Sequence, residues 1–311
     1  MKFIGRDVLS AKDWNREELD YLIEKALEIA ADQASPMPKY RDILKGKVMA
    51  TLFFEPSTRT RLSFESAMLK LGGSVTGFAS SDVSSVKKGE TLADTIRTVS
   101  CYADVIVIRH DKEGAQRLAA QNAPIPVINA GSGAGEHPTQ AMLDLLTIKA
   151  ELGTIDGLTI GLTGDLKYGR TVHSLAYFLS QYDVNLYFIS PPSLAMQNRV
   201  LDTLTMKRVK YKQTNLLQKT IPELDVLYMT RIQKERFVDP EEYERVKGAF
   251  RLHADDLVNA KDRMIILHPL PRVDEIHPSV DATKHARYFQ QVKYGLYLRM
   301  ALLGLILGGL K

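Results

Sequence analysis

A chain of 311 residues is longer than one core of ordinary size encloses, so two domains of roughly 150 residues each are expected. Hydrophobic residues make up 45% and charged residues 25%, the balance of an ordinary soluble globular protein rather than a disordered or membrane-embedded one. The formal net charge of +4 is small for this length and Lys and Arg form no run or stripe, so nucleic acid is not an expected partner.

In chain order, Met1-Lys2-Phe3-Ile4-Gly5-Arg6-Asp7 has no apolar signal core. A helix is predicted from near Asp13, because Leu19, Leu22, Ile23, Ala26 and Ile29 recur at helical spacing; Ser35-Pro36-Met37-Pro38 breaks it. Val48 to Phe54 is a short apolar run and reads as a buried strand. Ser57 to Leu71 reads as a helix with Phe64, Ala67, Met68 and Leu71 on one face, ended by Gly72-Gly73. The single cysteine, Cys101, allows no intrachain disulfide and points to a reducing, cytoplasmic setting. Because it lies just before the apolar run Val105 to Ile108, it is expected to be a buried packing residue. That run reads as a strand, followed by a helix around Glu113 to Gln121, a short strand Pro126 to Asn129 and a long helix Thr139 to Leu152.

Gly153-Thr154-Ile155-Asp156-Gly157 looks like a turn opening a second alternating block. There Leu158 to Thr163, Val184 to Ser190, Val226 to Thr230 and Met264 to Leu267 read as strands with helical segments between them. Strands alternating with helices predict an α/β class: two domains, each a parallel sheet flanked by helices. The apolar stretch Met300 to Leu310 is about half the length that spans a bilayer and contains glycines. It is read as the end of a C-terminal helix packing back on the first domain, with no membrane partner.

Ligands of open parallel sheets bind beyond the carboxyl ends of the strands. Six predicted strands are followed by Glu55-Pro56-Ser57-Thr58-Arg59-Thr60-Arg61, Arg109-His110, Ala130 to Gln140, Gly164 to Arg170, Arg231-Ile232-Gln233-Lys234 and His268-Pro269-Leu270-Pro271-Arg272. Five of these segments carry Arg; the sixth carries His137 and Gln140. Ser57-Thr58-Arg59-Thr60 sits at a helix start, where free N–H groups, the helix dipole, hydroxyls and a guanidinium suit phosphate. The blander reading of that string is a helix cap with a surface arginine. His137 reads equally well as a structural residue at a loop–helix junction or as a donor to a carbonyl oxygen. Ser85-Val86-Lys87-Lys88-Gly89-Glu90, taken alone, is a solvated loop. Gly161-Leu162-Thr163-Gly164-Asp165 invites a dinucleotide reading, yet the fingerprint's second and third glycines are missing, so no such cofactor is expected. No Cys/His spacing or carboxylate cluster supports a metal, and no phosphate-binding Gly-Lys-Ser/Thr loop is present.

Phe53-Phe54-Glu55-Pro56-Ser57-Thr58-Arg59-Thr60-Arg61, His137-Pro138-Thr139-Gln140, Lys167-Tyr168-Gly169-Arg170-Thr171, Arg231-Ile232-Gln233-Lys234-Glu235-Arg236 and His268-Pro269-Leu270-Pro271-Arg272 together resemble the catalytic chains of the aspartate carbamoyltransferase family. They come in that family's order and span nearly the whole length. The resemblance implies transfer of a carbamoyl group from carbamoyl phosphate to L-aspartate, in de novo pyrimidine biosynthesis, with no cofactor. It implies residues 1–138 as the carbamoyl phosphate-binding domain, with 292–311 returning to it, and 139–291 as the aspartate-binding domain. It places carbamoyl phosphate contacts on Ser57, Thr58, Arg59, Thr60, Arg109, His137 and Gln140, with backbone contacts from Leu270 and Pro271. Aspartate contacts fall on Lys88, Arg170, Arg231 and Gln233, and the catalytic set is Arg59, Thr60, Lys88, Arg109 and His137. Ser85 and Lys88 would be lent by a neighbouring subunit of a homotrimer with shared active sites. A regulatory chain in a larger assembly is the further partner the resemblance leaves open. Ornithine carbamoyltransferase is the nearest alternative; that family typically has a cysteine where this chain has Pro269. Two arginines at the second substrate's site suit a dicarboxylate and repel a cationic amine. A nucleotide-dependent oxidoreductase and a non-catalytic carbamoyltransferase-like scaffold are the readings from other classes.

Overall fold

The computed structural model describes residues 2–80, 89–133, 135–232, 240–248 and 250–310, and these form two compact units. One comprises Met1–Leu146 with Lys293–Lys311, the other Thr147–Val292.

The first unit opens with the segment before α1 (Arg16–Asp32). Asn15 caps that helix in a reciprocal box, its Oδ1 accepting from Glu18 N at 3.0 Å while Glu18 Oε2 accepts from Asn15 N at 3.0 Å. Leu19, Leu22, Ile23, Ala26 and Ile29 are its buried face, the predicted stripe. Then follow β1 (Val48–Phe53), α2 (Thr58–Lys70), β2 (Ser74–Phe78), α3 (Leu92–Ser100), β3 (Val105–His110), α4 (Ala115–Asn122), β4 (Val127–Ser132) and α5 (Pro138–Leu152). The four strands are parallel in the order β2-β1-β3-β4. The inner strands were legible because a strand covered on both faces is an unbroken apolar run. Edge strand β2, mostly open to solvent, carries no such run. Cys101 is exposed, contrary to its expected burial. It caps the C-terminal end of α3, ahead of the turn into β3, so its position before an apolar strand does not place it inside the core.

The second unit continues with β5 (Thr159–Thr163), α6 (Arg170–Leu179), β6 (Asn185–Ile189), α7 (Asn198–Met206), β7 (Lys210–Thr214), α8 (Leu217–Thr220), β8 (Val226–Met229), α9 (Pro240–Val246), β9 (Ile265–Leu267) and α10 (Tyr288–Ile306). Its parallel sheet runs β7-β6-β5-β8-β9. The polar edge strand β7 was the other strand missing from the sequence reading, for the same reason as β2. The core on one face of this sheet joins Ile189, Leu227, Met229 and Ile266 to Leu217, Ile221, Leu252 and Tyr288. The last part of α10 belongs to the first unit, where Arg299 reaches Ser63 of α2 and Gly304 packs on Leu310 and Ile43. Among the described residues no helix is long and apolar enough to cross a membrane.

Candidate active site

In the first unit the predicted residues gather at the carboxyl edge of three adjacent strands. Phe53 of β1 is in register with Arg109 of β3, and Phe54 N donates to Arg109 O at 2.9 Å, so the segment leading to α2 starts beside Arg109. Ser57 is the extended residue capping α2 and makes no side-chain cap bond, leaving its hydroxyl clear of the first turn's N–H groups. Thr58 and Arg59 are exposed there, whereas Thr60 is buried. The Arg109 side chain is anchored from two sides: Nη2 donates to Glu55 Oε1 at 3.2 Å and Nη1 to Ala130 O of β4 at 3.5 Å. Glu55 is a residue that motif reading passed over. It holds Arg109 of β3, which lies outside its own string and which the pairing of β1 with β3 brings beside it.

His137 and Gln140 stand at the start of α5, both buried. The described residues of the loop leading to them are tied down by hydrogen bonds. Gly133 N donates to His110 O at 3.0 Å, Gly135 N to Ser132 O at 2.8 Å and Ser132 N to Glu136 O at 3.1 Å. The Glu136 carboxylate accepts from Ser10 Oγ at 2.7 Å and Ala11 N at 2.6 Å, which fastens the loop to the N-terminal segment. Gln140 Nε2 donates to Asp144 Oδ1 at 2.9 Å, one helical turn on.

The second unit repeats the arrangement at its own strand tips. Arg170 is the first residue of α6, and Lys167 and Tyr168 lie in the turn between β5 and that helix. Asp165 Oδ1 accepts from Tyr168 N at 2.9 Å, and Leu166 O lies 2.8 Å from His173 Nε2. A carbonyl accepts, so Nε2 carries the proton. Burial, partly offset by that bond and reinforced by the nearby Arg199 charge, drives the His173 pKa down to about 4. The imidazole is therefore neutral at physiological pH and fixes the turn preceding Arg170.

Arg231 follows β8, the strand next to β5. Thr230 N and Oγ1 both donate to Thr163 O, at 2.9 Å each. Gly164 approaches this point closely with φ +111°, and a Cβ there would stand 2.3 Å from Thr230 O. Arg231 lines a cleft with Gly164, Thr230, Tyr243, Lys247 and Glu275. After β9, His268 Nδ1 accepts from Leu270 N at 2.8 Å, so Nε2 is the donor to Glu275 Oε1 at 2.7 Å. Burial would raise the Glu275 pKa, but hydrogen bonds from His268 and from backbone N–H groups outweigh it and hold the carboxylate below its usual value. This lattice sets the backbone at Leu270, whose φ is +55°, and at Pro271, which follows a cis peptide bond.

The structure thus brings Ser57, Thr58, Arg59, Thr60, Arg109, His137 and Gln140 to one sheet edge, and Arg170, Arg231, Leu270 and Pro271 to another. Ser85, Lys88 and Gln233 lie outside the described residues. Among the described residues no group of three or more His, Cys, Asp or Glu is placed to hold a metal ion.

Two family models match the chain in succession. Residues 6–150 match the aspartate/ornithine carbamoyltransferase carbamoyl-P binding domain, and residues 156–306 the Asp/Orn binding domain of the same family. The chain is similar to the aspartate carbamoyltransferase catalytic subunit of Thermococcus kodakarensis, with 59% identity over 310 residues covering 99% of each chain. It is also similar to the corresponding subunit of Archaeoglobus fulgidus, with 56% identity covering 96% of this chain and 98% of that one. Among solved structures, aspartate transcarbamoylase from Trypanosoma cruzi in complex with carbamoyl phosphate superposes with a TM-score of 0.93 at 43% identity, covering 98% of this chain and 97% of that one. The same protein in complex with N-(phosphonacetyl)-L-aspartic acid also gives a TM-score of 0.93 at 43% identity, with the same coverage.

Proposed function

The chain belongs to the aspartate/ornithine carbamoyltransferase family, and from that membership we propose that it transfers the carbamoyl group of carbamoyl phosphate to the amino group of L-aspartate, giving N-carbamoyl-L-aspartate and phosphate. Its place is then de novo pyrimidine biosynthesis, in the cytoplasm. The observation that carries the choice of aspartate is the pair of arginines, Arg170 and Arg231, opening from neighbouring strand tips of the second sheet. Guanidinium forks match two carboxylates and repel the second ammonium of a diamino acid.

The reaction is attack of the neutral amine on the carbamoyl carbon; the C–N bond forms and the C–O bond to phosphate breaks. Negative charge develops on the carbonyl oxygen. Thr60, Arg109 and His137 are the donors for it; Glu55 and the Ala130 carbonyl hold Arg109 before substrate arrives, and the bonds of Ser132, Gly133, Gly135 and Glu136 fix the approach to His137. Arg59, with Ser57, Thr58 and the N–H groups of the first turn of α2, takes the phosphate and offsets its charge as it leaves. Arg170, Arg231 and Gln233 hold aspartate. Holding together two anions that repel each other in solution supplies much of the acceleration. Departing phosphate is basic enough to accept the amine proton. Residues 1–138 with 292–311 form the domain for the first substrate and 139–291 the domain for the second. The working form is a homotrimer in which a neighbouring subunit lends Ser85 and Lys88, a reading that rests on the family resemblance.

The test is carbamoyl phosphate consumption with aspartate and then ornithine as acceptor. Aspartate supports turnover and ornithine does not; turnover with ornithine alone would overturn the assignment of the second substrate.

A further inference from the structure

Behind Gln140 lies a group of buried side chains that the proposed chemistry leaves unused. Asp144 on α5 is fully buried, and its Oδ1 accepts from Gln140 Nε2 at 2.9 Å. Arg299, two turns from the end of α10, is also buried. Its Nη1 donates to Ser63 Oγ at 2.9 Å and to Gly295 O at 3.2 Å, and its guanidinium lies 4.9 Å from the centre of the Phe64 ring. Ser63 and Phe64 belong to α2, the helix whose first turn carries Arg59 and Thr60. A Cβ on Gly295 would stand 2.9 Å from Arg299 Nη1 and 3.0 Å from Leu143 Cδ2, so glycine at that point leaves the room the guanidinium occupies beside α5.

A buried guanidinium is unfavourable unless a charge and hydrogen bonds compensate it. Burial lowers the Arg299 pKa to about 10 and the Asp144 charge opposes the fall, so the group stays cationic at neutral pH. A carboxylate only accepts hydrogen bonds. Facing Gln140, it requires the amide nitrogen to point at itself and leaves Gln140 Oε1 as the free end. A carbamoyl group presents an NH2, and Oε1 is the acceptor that suits it.

We infer that Asp144 and Arg299 are positioning residues for carbamoyl transfer: the carboxylate sets which way the Gln140 amide faces, and the guanidinium neutralises that carboxylate while joining α10 to α2. The inference rests on the proposed role of Gln140 at the substrate. Asn at position 144 offers both a donor and an acceptor, so the amide of Gln140 loses its preferred direction. Asp144→Asn is expected to lower kcat/KM for carbamoyl phosphate by about 10- to 30-fold, with the KM for aspartate at saturating carbamoyl phosphate changed less than about twofold. In a Gln140→Ala background the same substitution should change kcat/KM by less than about twofold, because the group it acts through is gone. Arg299→Lys and Arg299→Met provide a second route that leaves Asp144 in place. Lys keeps the charge and should retain several-fold more activity than Met in the Gln140 protein, but not in the Gln140→Ala protein. Losses that are equal in both backgrounds mean a purely structural role and overturn the inference. A Gln140→Ala protein with near-normal kcat/KM overturns the site reading itself, and the inference with it.

Discussion

The two strand-tip sets differ in how much of each is closed before any ligand arrives. At the first sheet, Thr60, His137 and Gln140 are buried and Arg109 is anchored by a carboxylate and a carbonyl. At the second, Arg170 and Arg231 are half-exposed, and what is fixed is the backbone beneath them, through His173, Thr230 and the glycine at 164. Dipoles that must meet a developing charge act most strongly when pre-set in a dry surround. Side chains that must grip and release whole anions need an open approach. Arg59 refines the contrast: it sits with the first set, yet it is more exposed than Arg170 and Arg231.

The largest effect is expected at Arg59. Arg59→Ala should lower kcat by about 1000-fold or more, while its exposure keeps the change in unfolding free energy within about 0.5 kcal/mol. Steady-state kinetics beside thermal melts check both halves, and near-normal turnover would remove Arg59 from the phosphate site. Arg231→Ala should raise the KM for aspartate by about 100-fold and leave that for carbamoyl phosphate within a few-fold. The reverse split would exchange the two half-sites.

His173 probes the support rather than the grip. Its folded pKa of about 4 lies below the ordinary value of 6.5, so the unfolded chain binds the extra proton as pH drops between them. Stability from the neutral imidazole is complete above about pH 6.5 and falls as pH decreases, by roughly 2–3 kcal/mol near pH 4.5. Denaturant melts between these pH values should show a flatter dependence for His173→Gln; an unchanged slope would mean that the imidazole is not held neutral. The smallest effect is expected for Gly164→Ala, at about 2 kcal/mol of stability, since a Cβ would meet Thr230 O and φ is positive. A small accompanying rise in aspartate KM would link Thr230 to the setting of Arg231.

In each sheet the sequence showed every strand but one, the solvent-facing edge strand β2 or β7, while the buried edge strands β4 and β9 were readable as apolar runs. Strands β1, β3, β5 and β8 are apolar runs because both faces are covered, whereas β2 and β7 are edge strands with polar, solvent-facing residues. The site was readable for a related reason: loops leave a parallel sheet at its carboxyl edge, so Arg109 and Arg231 announce themselves by following apolar runs. Cys101 misled because nearness to a core strand in sequence is not burial. Asp144 and Arg299 gave no signal at all. Neither belongs to a motif, and the Asp144 charge acts on Arg299 only because a helix more than a hundred residues away folds back beside α5.

That return has a consequence for synthesis on the ribosome. The second unit is one continuous stretch, made in full before residue 293 is added. The first unit begins earlier but lacks its closing segment, Lys293–Lys311, until the whole second unit has been made. The half made first is thus completed last, and a chain stalled or clipped near residue 290 would leave the apolar surface meant for Leu298, Leu302 and Leu305 uncovered.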